Sequence, residues 1–150
     1  MMAPDKRVSV LVVDDEVDFL ETIVKRLEKR HIHARGVVSG EAALAALREG
    51  PFDVVLLDIK MPGGMDGIVT LREMKRLQPM AEVILLTGHA SVETSIEGMK
   101  LGAFDYLLKP IRFEEVLAKI QAAGVRKNEQ GRKIPAAGRP SGSTVSGNGA

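Results

Sequence analysis

Asp58 closes the apolar run Val54-Val55-Leu56-Leu57, and the turn-forming stretch Lys60-Met61-Pro62-Gly63-Gly64 begins just beyond it. A carboxylate at the mouth of a buried strand is exposed enough to react and rigid enough to be aimed. Three other strand-like runs end in polar groups: Val10 to Val13 in Asp14-Asp15, Val83 to Leu86 in Thr87, and Tyr106 to Leu108 in Lys109-Pro110. Together they supply a nucleophilic carboxylate, two further acids, a hydroxyl donor and an ammonium. That is the chemistry of phosphoryl transfer onto Asp58.

Such groups meet only if the strands run parallel and side by side, with their carboxyl ends along one edge, where ligand sites form in open α/β sheets. The pattern supplies five strand–helix pairs. A nearly continuous apolar strand from Val8 to Val13 is of the kind buried on both faces of a parallel sheet, and Val17, Leu20, Val24 and Leu27 follow at helical spacing. A weak second strand, His33 to Val37, belongs at an edge; Ser39 then caps a helix through Arg48. Val54 to Leu57 precedes a helix from Gly67 to Leu77, stopped near Pro79. Val83 to Leu86 precedes a helix capped by Ser91, striped by Val92, Ile96 and Met99, and ended at a left-handed Gly102. Phe104 to Leu108 precedes a last helix with Phe113, Val116, Leu117 and Ile120 on one face. This alternation predicts a doubly wound, five-stranded parallel sheet in a three-layer, flavodoxin-like (βα)5 domain with right-handed crossovers.

The chain has 150 residues, 45% hydrophobic and 27% charged, as expected of one globular domain with a true core. It has no Cys, which excludes disulfides, thiolate metal sites and a cysteine nucleophile. The opening MMAPDKR lacks the apolar core of a signal peptide and no run reaches the length of a membrane span, so the expected compartment is the cytoplasm. Residues 1–126 carry 17 basic and 19 acidic side chains, a net −2, whereas residues 127–150 carry 4 and 1, a net +3. The domain therefore has no broad basic footprint for nucleic acid. Gly, Pro, Ala and Ser dominate the stretch from Gly131, so the domain is expected to span 1–126, with 127–150 a disordered tail.

Each site residue also has a bland role. One of Asp14 and Asp15 could cap the first helix, but that accounts for one acid rather than two in tandem. Carboxylates about 5 Å apart repel by roughly 3 kcal/mol at an effective dielectric near 20. Three together need protons or a cation, and oxygen ligands with open positions suit Mg²⁺, with Mn²⁺ a substitute. Thr87-Gly88 could form a simple turn with its hydroxyl on local backbone, Lys109 could be an ordinary surface lysine, and Tyr106 a strand aromatic. His89, two residues past Thr87, reads as surface decoration, and His31 and His33 as solvent-facing. The coincidence at four strand ends favours the functional set.

These residues resemble the receiver domain of two-component response regulators. The resemblance covers roughly Lys6 to Ala123 and rests on Asp14-Asp15, Asp58 with Met61-Pro62 and Asp66-Gly67, Thr87-Gly88, and Phe104-Asp105-Tyr106-Leu107-Leu108-Lys109-Pro110. It implies that Asp58 takes a phosphoryl group from a sensor histidine kinase or phosphotransfer protein. It implies that Asp15, Asp58 and the Lys60 backbone carbonyl bind Mg²⁺, with Asp14 nearby or acting through water, and that Thr87 and Lys109 hold the phosphoryl oxygens. It further implies a cis Lys109-Pro110 peptide and a switch, through Thr87 and Tyr106, of the surface made by the fourth helix, fifth strand and fifth helix. That surface would meet an unknown downstream protein or a second copy of the chain. No membrane partner is implied, and no turnover beyond hydrolysis of the chain's own acyl phosphate.

One departure lies in Gly63-Gly64, one glycine longer than the commonest form, from which weaker Mg²⁺ binding is expected. Nothing foldable follows Ala123, which fits a stand-alone receiver or a piece of a longer regulator. Three rival readings remain. An aspartyl-phosphate phosphatase wants an acid where Lys60 stands. A nucleotide or flavin module wants glycines where Asp14-Asp15-Glu16 stands. A receiver-like interaction domain would leave Asp58 unreacted.

Overall fold

A computed structural model describes residues 7–88 and 92–136, with the backbone alone from Val125 onward. Five strands alternate with five helices: β1 (Ser9–Val13), α1 (Val17–Lys29), β2 (His33–Val37), α2 (Gly40–Glu49), β3 (Val54–Asp58), α3 (Gly67–Leu77), β4 (Glu82–Thr87), α4 (Val92–Lys100), β5 (Asp105–Leu108) and α5 (Phe113–Ala136). The strands form one parallel sheet in the order β2-β1-β3-β4-β5. The winding reverses between β1 and β3, and the crevice at such a reversal is where open α/β sheets bind ligands.

The strands read as unbroken apolar runs because both faces are covered. Val10, Val12, Val54, Leu56, Ile84 and Leu86 pack against Leu20, Ile23 and Leu27 of α1 and Phe113, Val116 and Ile120 of α5. Alternate residues, Leu11, Val13, Val55, Leu57, Val83 and Leu85, meet α2 and α3 through Leu44, Leu47, Leu71 and Met74. Arg26 and Arg30 lay their guanidinium groups over the Phe113 ring at 4.3 and 5.5 Å, tying α1 to α5. Truncating any of these core leucines to Ala costs about 2–5 kcal/mol.

Helix ends follow local chemistry. Ser39 Oγ accepts from the Ala42 N–H at 3.1 Å, and Asp66 Oδ1 accepts from Ile68 N at 2.8 Å. After α1 the chain turns through His31 at φ +61°, with His31 N donating to Glu28 O and Ile32 N to Leu27 O. That is the paired closure of a helix end at which glycine is the usual residue. Gly102 does have a positive φ, +105°.

Three details differ from the sequence reading or go beyond it. The apolar stripe of α4 does not face the core: Ile96 is 51% exposed and Met99 36%, while Ser95 and Gly98 are buried. The reason is steric, since a Cβ on Gly98 would stand 2.5 Å from Leu85 Cδ1, so only small residues fit between α4 and the sheet. The boundary after Arg126 falls inside α5, whose backbone stays helical through Ala136. The strand before α5 begins at Asp105 rather than Phe104. Ser91, His89 and the stretch 137–150 lie outside the described residues.

Candidate functional site

Register brings the strand ends together. Val13 lies beside Leu57, Asp58 beside Leu86, and Thr87 beside Leu108. The residues that follow Val13 and Leu108 therefore emerge on the same rim as Asp58 and Thr87. Asp14, Asp15 and Asp58 each direct a carboxylate oxygen into one space, and these atoms lie within 4.8 Å of one another. Asp14 is fully buried and Asp58 is 4% exposed, whereas Asp15 faces solvent.

Lys109 reaches this cluster from the end of β5. Its Nζ stands 3.2 Å from Asp14 Oδ2 and 3.5 Å from Asp58 Oδ2. The Lys109-Pro110 peptide is cis, as the resemblance implied. Asp14 is not the cap residue of α1. Instead its Oδ1 accepts from Glu16 N at 2.9 Å, one turn-forming bond that fixes the carboxylate. Asp58 Oδ1 accepts from Lys60 N at 3.2 Å, which folds the chain immediately beyond the strand. The loop that follows is anchored by buried Met61, passes through Gly63 at φ +85°, and ends where Gly67 packs on Ile59.

The electrostatics are those of a site short of positive charge. Burial, then the neighbouring Asp14 carboxylate, push Asp58 up to about 6, against the opposing pull of Lys109 and the Lys60 N–H. Burial also raises Asp14, against the Glu16 N–H and Lys109. For Lys109 burial acts downward, but Asp58, Glu16 and Asp14 outweigh it and the ammonium is held above its ordinary range. One ammonium thus serves three or more carboxylates. An all-oxygen donor set, buried on two sides and underneutralised, fits a hard divalent cation.

Thr87 is buried, and its Oγ1 donates to the Gly88 carbonyl at 3.0 Å, the local bond that the turn reading anticipated. Tyr106 is 38% exposed and lies on the outer side of β5. Two contributors escaped the sequence reading. Glu16 Oε1 lies 3.1 Å from Lys109 Nζ, and the Phe19 ring lies 5.3 Å from the same atom. The tandem acids extending to a third at Glu16 were the available signal for the first; Phe19 gave none. His31 is exposed and His33 half-buried, and neither joins the acid cluster.

Comparison with known proteins decides the family. The model of the response regulator receiver domain matches residues 10–121. The chain belongs to the response regulator receiver domain family. The transcriptional regulatory protein ZraR of Salmonella typhimurium is 38% identical over 131 residues, covering 87% of this chain and 30% of that protein. The receiver domain of NtrX from Brucella abortus superposes with a TM-score of 0.73 at 31% identity, covering 77% of this chain and 97% of that one. A response regulator receiver domain protein from Clostridium thermocellum gives 0.78 at 36% identity, covering 82% and 98%. This receiver domain spans less than a third of the curated relatives it matches. Family membership favours a signalling switch over the phosphatase and nucleotide-binding readings. Among the described residues no helix is long and apolar enough to cross a membrane.

Proposed function

We propose that Asp58 is the phosphoacceptor of this receiver domain, charged by a phosphohistidine on a sensor histidine kinase or phosphotransfer protein. The observation that carries the reading is the convergence of Asp58 with Asp14, Asp15 and Lys109 at the reversal point of the sheet. A carboxylate oxygen of Asp58 attacks phosphorus as the P–N bond to the donor imidazole breaks. The leaving nitrogen keeps the electron pair and takes a proton. Lys109 draws the negative charge of the phosphoryl oxygens, and the Thr87 hydroxyl exchanges its Gly88 bond for one to a phosphoryl oxygen.

Asp15 and Asp58 would hold Mg²⁺, or Mn²⁺ in its place, with the Lys60 backbone carbonyl as a further donor and Asp14 nearby or through water. When bound, the ion offsets the charge that builds between carboxylate and phosphoryl group. The movement of Thr87 frees space for Tyr106 to turn inward, which reshapes the surface of α4, β5 and α5. Reversing a 1:99 population takes about 5.5 kcal/mol, and a few charge-assisted hydrogen bonds at about 1.5–3 kcal/mol each supply it.

That surface exposes the apolar side chains of Ile96, Met99, Tyr106 and Leu108 among charged neighbours, which suits a downstream protein or a second copy of the chain. The mild negative charge of residues 1–126 argues against direct nucleic-acid contact by the domain. Turnover is confined to hydrolysis of its own acyl phosphate, and the compartment is cytoplasmic. Incubation with acetyl phosphate and Mg²⁺, followed by intact mass, tests the reading. A labile gain of one phosphoryl group that Asp58→Asn lacks supports it. No gain means an interaction domain that works unphosphorylated, and multiple turnover of a foreign phosphoester means an enzyme.

A further inference from the structure

Lys109 rests closer to two other acids than to Asp58. Its Nζ lies 3.1 Å from Glu16 Oε1 and 3.2 Å from Asp14 Oδ2, against 3.5 Å to Asp58 Oδ2. Glu16 and Phe19 are three residues apart at the start of α1 and both face the ammonium, the ring at 5.3 Å. The first turn of α1 is thus a seat for Lys109. Of the acids forming it, Asp14 is fully buried and pinned by the Glu16 N–H, so it cannot let go without stranding a buried charge. The Glu16 side chain is 65% exposed and lies outside the acid cluster that converges on the cation space. It alone can part from the ammonium and turn to water at little cost.

We propose that Glu16 is a positioning residue that holds Lys109 back from Asp58 until a phosphoryl group arrives. The inference rests on Asp58 being the phosphoacceptor. In the resting domain Glu16 divides the ammonium's attention among three carboxylates. A phosphoryl group on Asp58 brings nearly two negative charges, draws Lys109 across, and leaves Glu16 to solvent. Glu16 therefore sets how readily the resting site takes up phosphate.

The test compares wild type, Glu16→Gln and Glu41→Gln at saturating Mg²⁺, following the rate of phosphoryl gain from acetyl phosphate. Glu41 lies on the same rim, where a Cβ on Gly64 would stand 3.6 Å from its Oε1, so this variant removes one rim charge without touching Lys109. A half-exposed ion pair is weak, so Glu16→Gln should accelerate the gain roughly two- to five-fold while Glu41→Gln changes it less. Before any phosphodonor is added, the ammonium resonance of Lys109 in a nitrogen-labelled sample should shift in Glu16→Gln and stay put in Glu41→Gln. Equal acceleration by both variants, or a Glu16→Gln rate at or below wild type, overturns the proposal. If wild type itself gains no phosphoryl group, the assignment of Asp58 falls, and this inference falls with it.

Discussion

Gly67 and Ile59 are in backbone contact: a Cβ on the glycine would stand 2.4 Å from the Ile59 carbonyl oxygen and 2.8 Å from its Cα. Both obstacles are main chain, so neither can rotate away. Gly67→Ala must therefore push the start of α3 off the loop that follows Asp58. The expected cost is about 1–3 kcal/mol in urea unfolding, accompanied by a loss of Mg²⁺ affinity in calorimetric titration. Unchanged affinity would mean that the loop is positioned by Met61 and Met65 instead.

Asp58 should make the metal-free protein sensitive to pH. Its folded value of about 6 lies above the ordinary 3.8, so its contribution to stability is fully present below pH 3.8 and is lost as pH rises through 6. At pH 7.5 in EDTA, Asp58→Asn should be more stable to unfolding than wild type, by on the order of 2–3 kcal/mol. Near pH 4, or with Mg²⁺ added, the gap should close. A variant less stable than wild type at pH 7.5 would show that the Lys109 pair outweighs the burial of the charge.

His31 occupies a left-handed position with a side chain in place, φ +61°. His31→Gly relieves that strain, offset in part by the greater entropy glycine gives the unfolded chain, for a net gain of about 0.5–1 kcal/mol. The melting temperature should rise with phosphorylation unaffected, because the residue lies at the far end of α1. A fall would place the strain elsewhere.

Tyr106 is the single tyrosine of a chain without tryptophan, so intrinsic fluorescence reports this position alone. Acetyl phosphate with Mg²⁺ should change its emission as the exposed ring turns inward, and Asp58→Asn should abolish the change. A signal that stays constant while the mass increases by one phosphoryl group would remove Tyr106 from the switch.

The extra glycine in the loop after β3 should weaken metal binding. Gly63 adopts φ +85° with open space around it, and Gly64 is exposed. Deleting Gly64 should tighten Mg²⁺ binding a few-fold in titration calorimetry. Tight binding by the wild type would show that the added length is absorbed without loosening the site.

The sheet and most of the site were legible because their signals are local. A strand buried on both faces is written as a continuous apolar run, and Asp58 or Thr87 stands at its end regardless of what packs around it. Glu16 was harder to see, because its bond to Lys109 joins residues 93 apart and depends on the length and rotamer of two long side chains. The stripe Val92-Ile96-Met99 has helical period, but period does not say whether a face meets core or solvent. The deciding fact, that Leu85 leaves room only for Gly98, belongs to the packing of another element. The course of α5 to Ala136 was not legible, because a helix can outrun its last core residue and no apolar periodicity marks it past Ala123.

The contact of α4 with the sheet through Ser95 and Gly98 has an energetic corollary. A helix anchored by a hydroxymethyl group and a bare α-carbon contributes little apolar burial of its own, so it belongs to the least costly part of the molecule to displace. Its larger side chains already face outward and need not be extracted from anywhere when it shifts. A small local input at the neighbouring strand end can therefore be spent on moving the helix rather than on unpacking it.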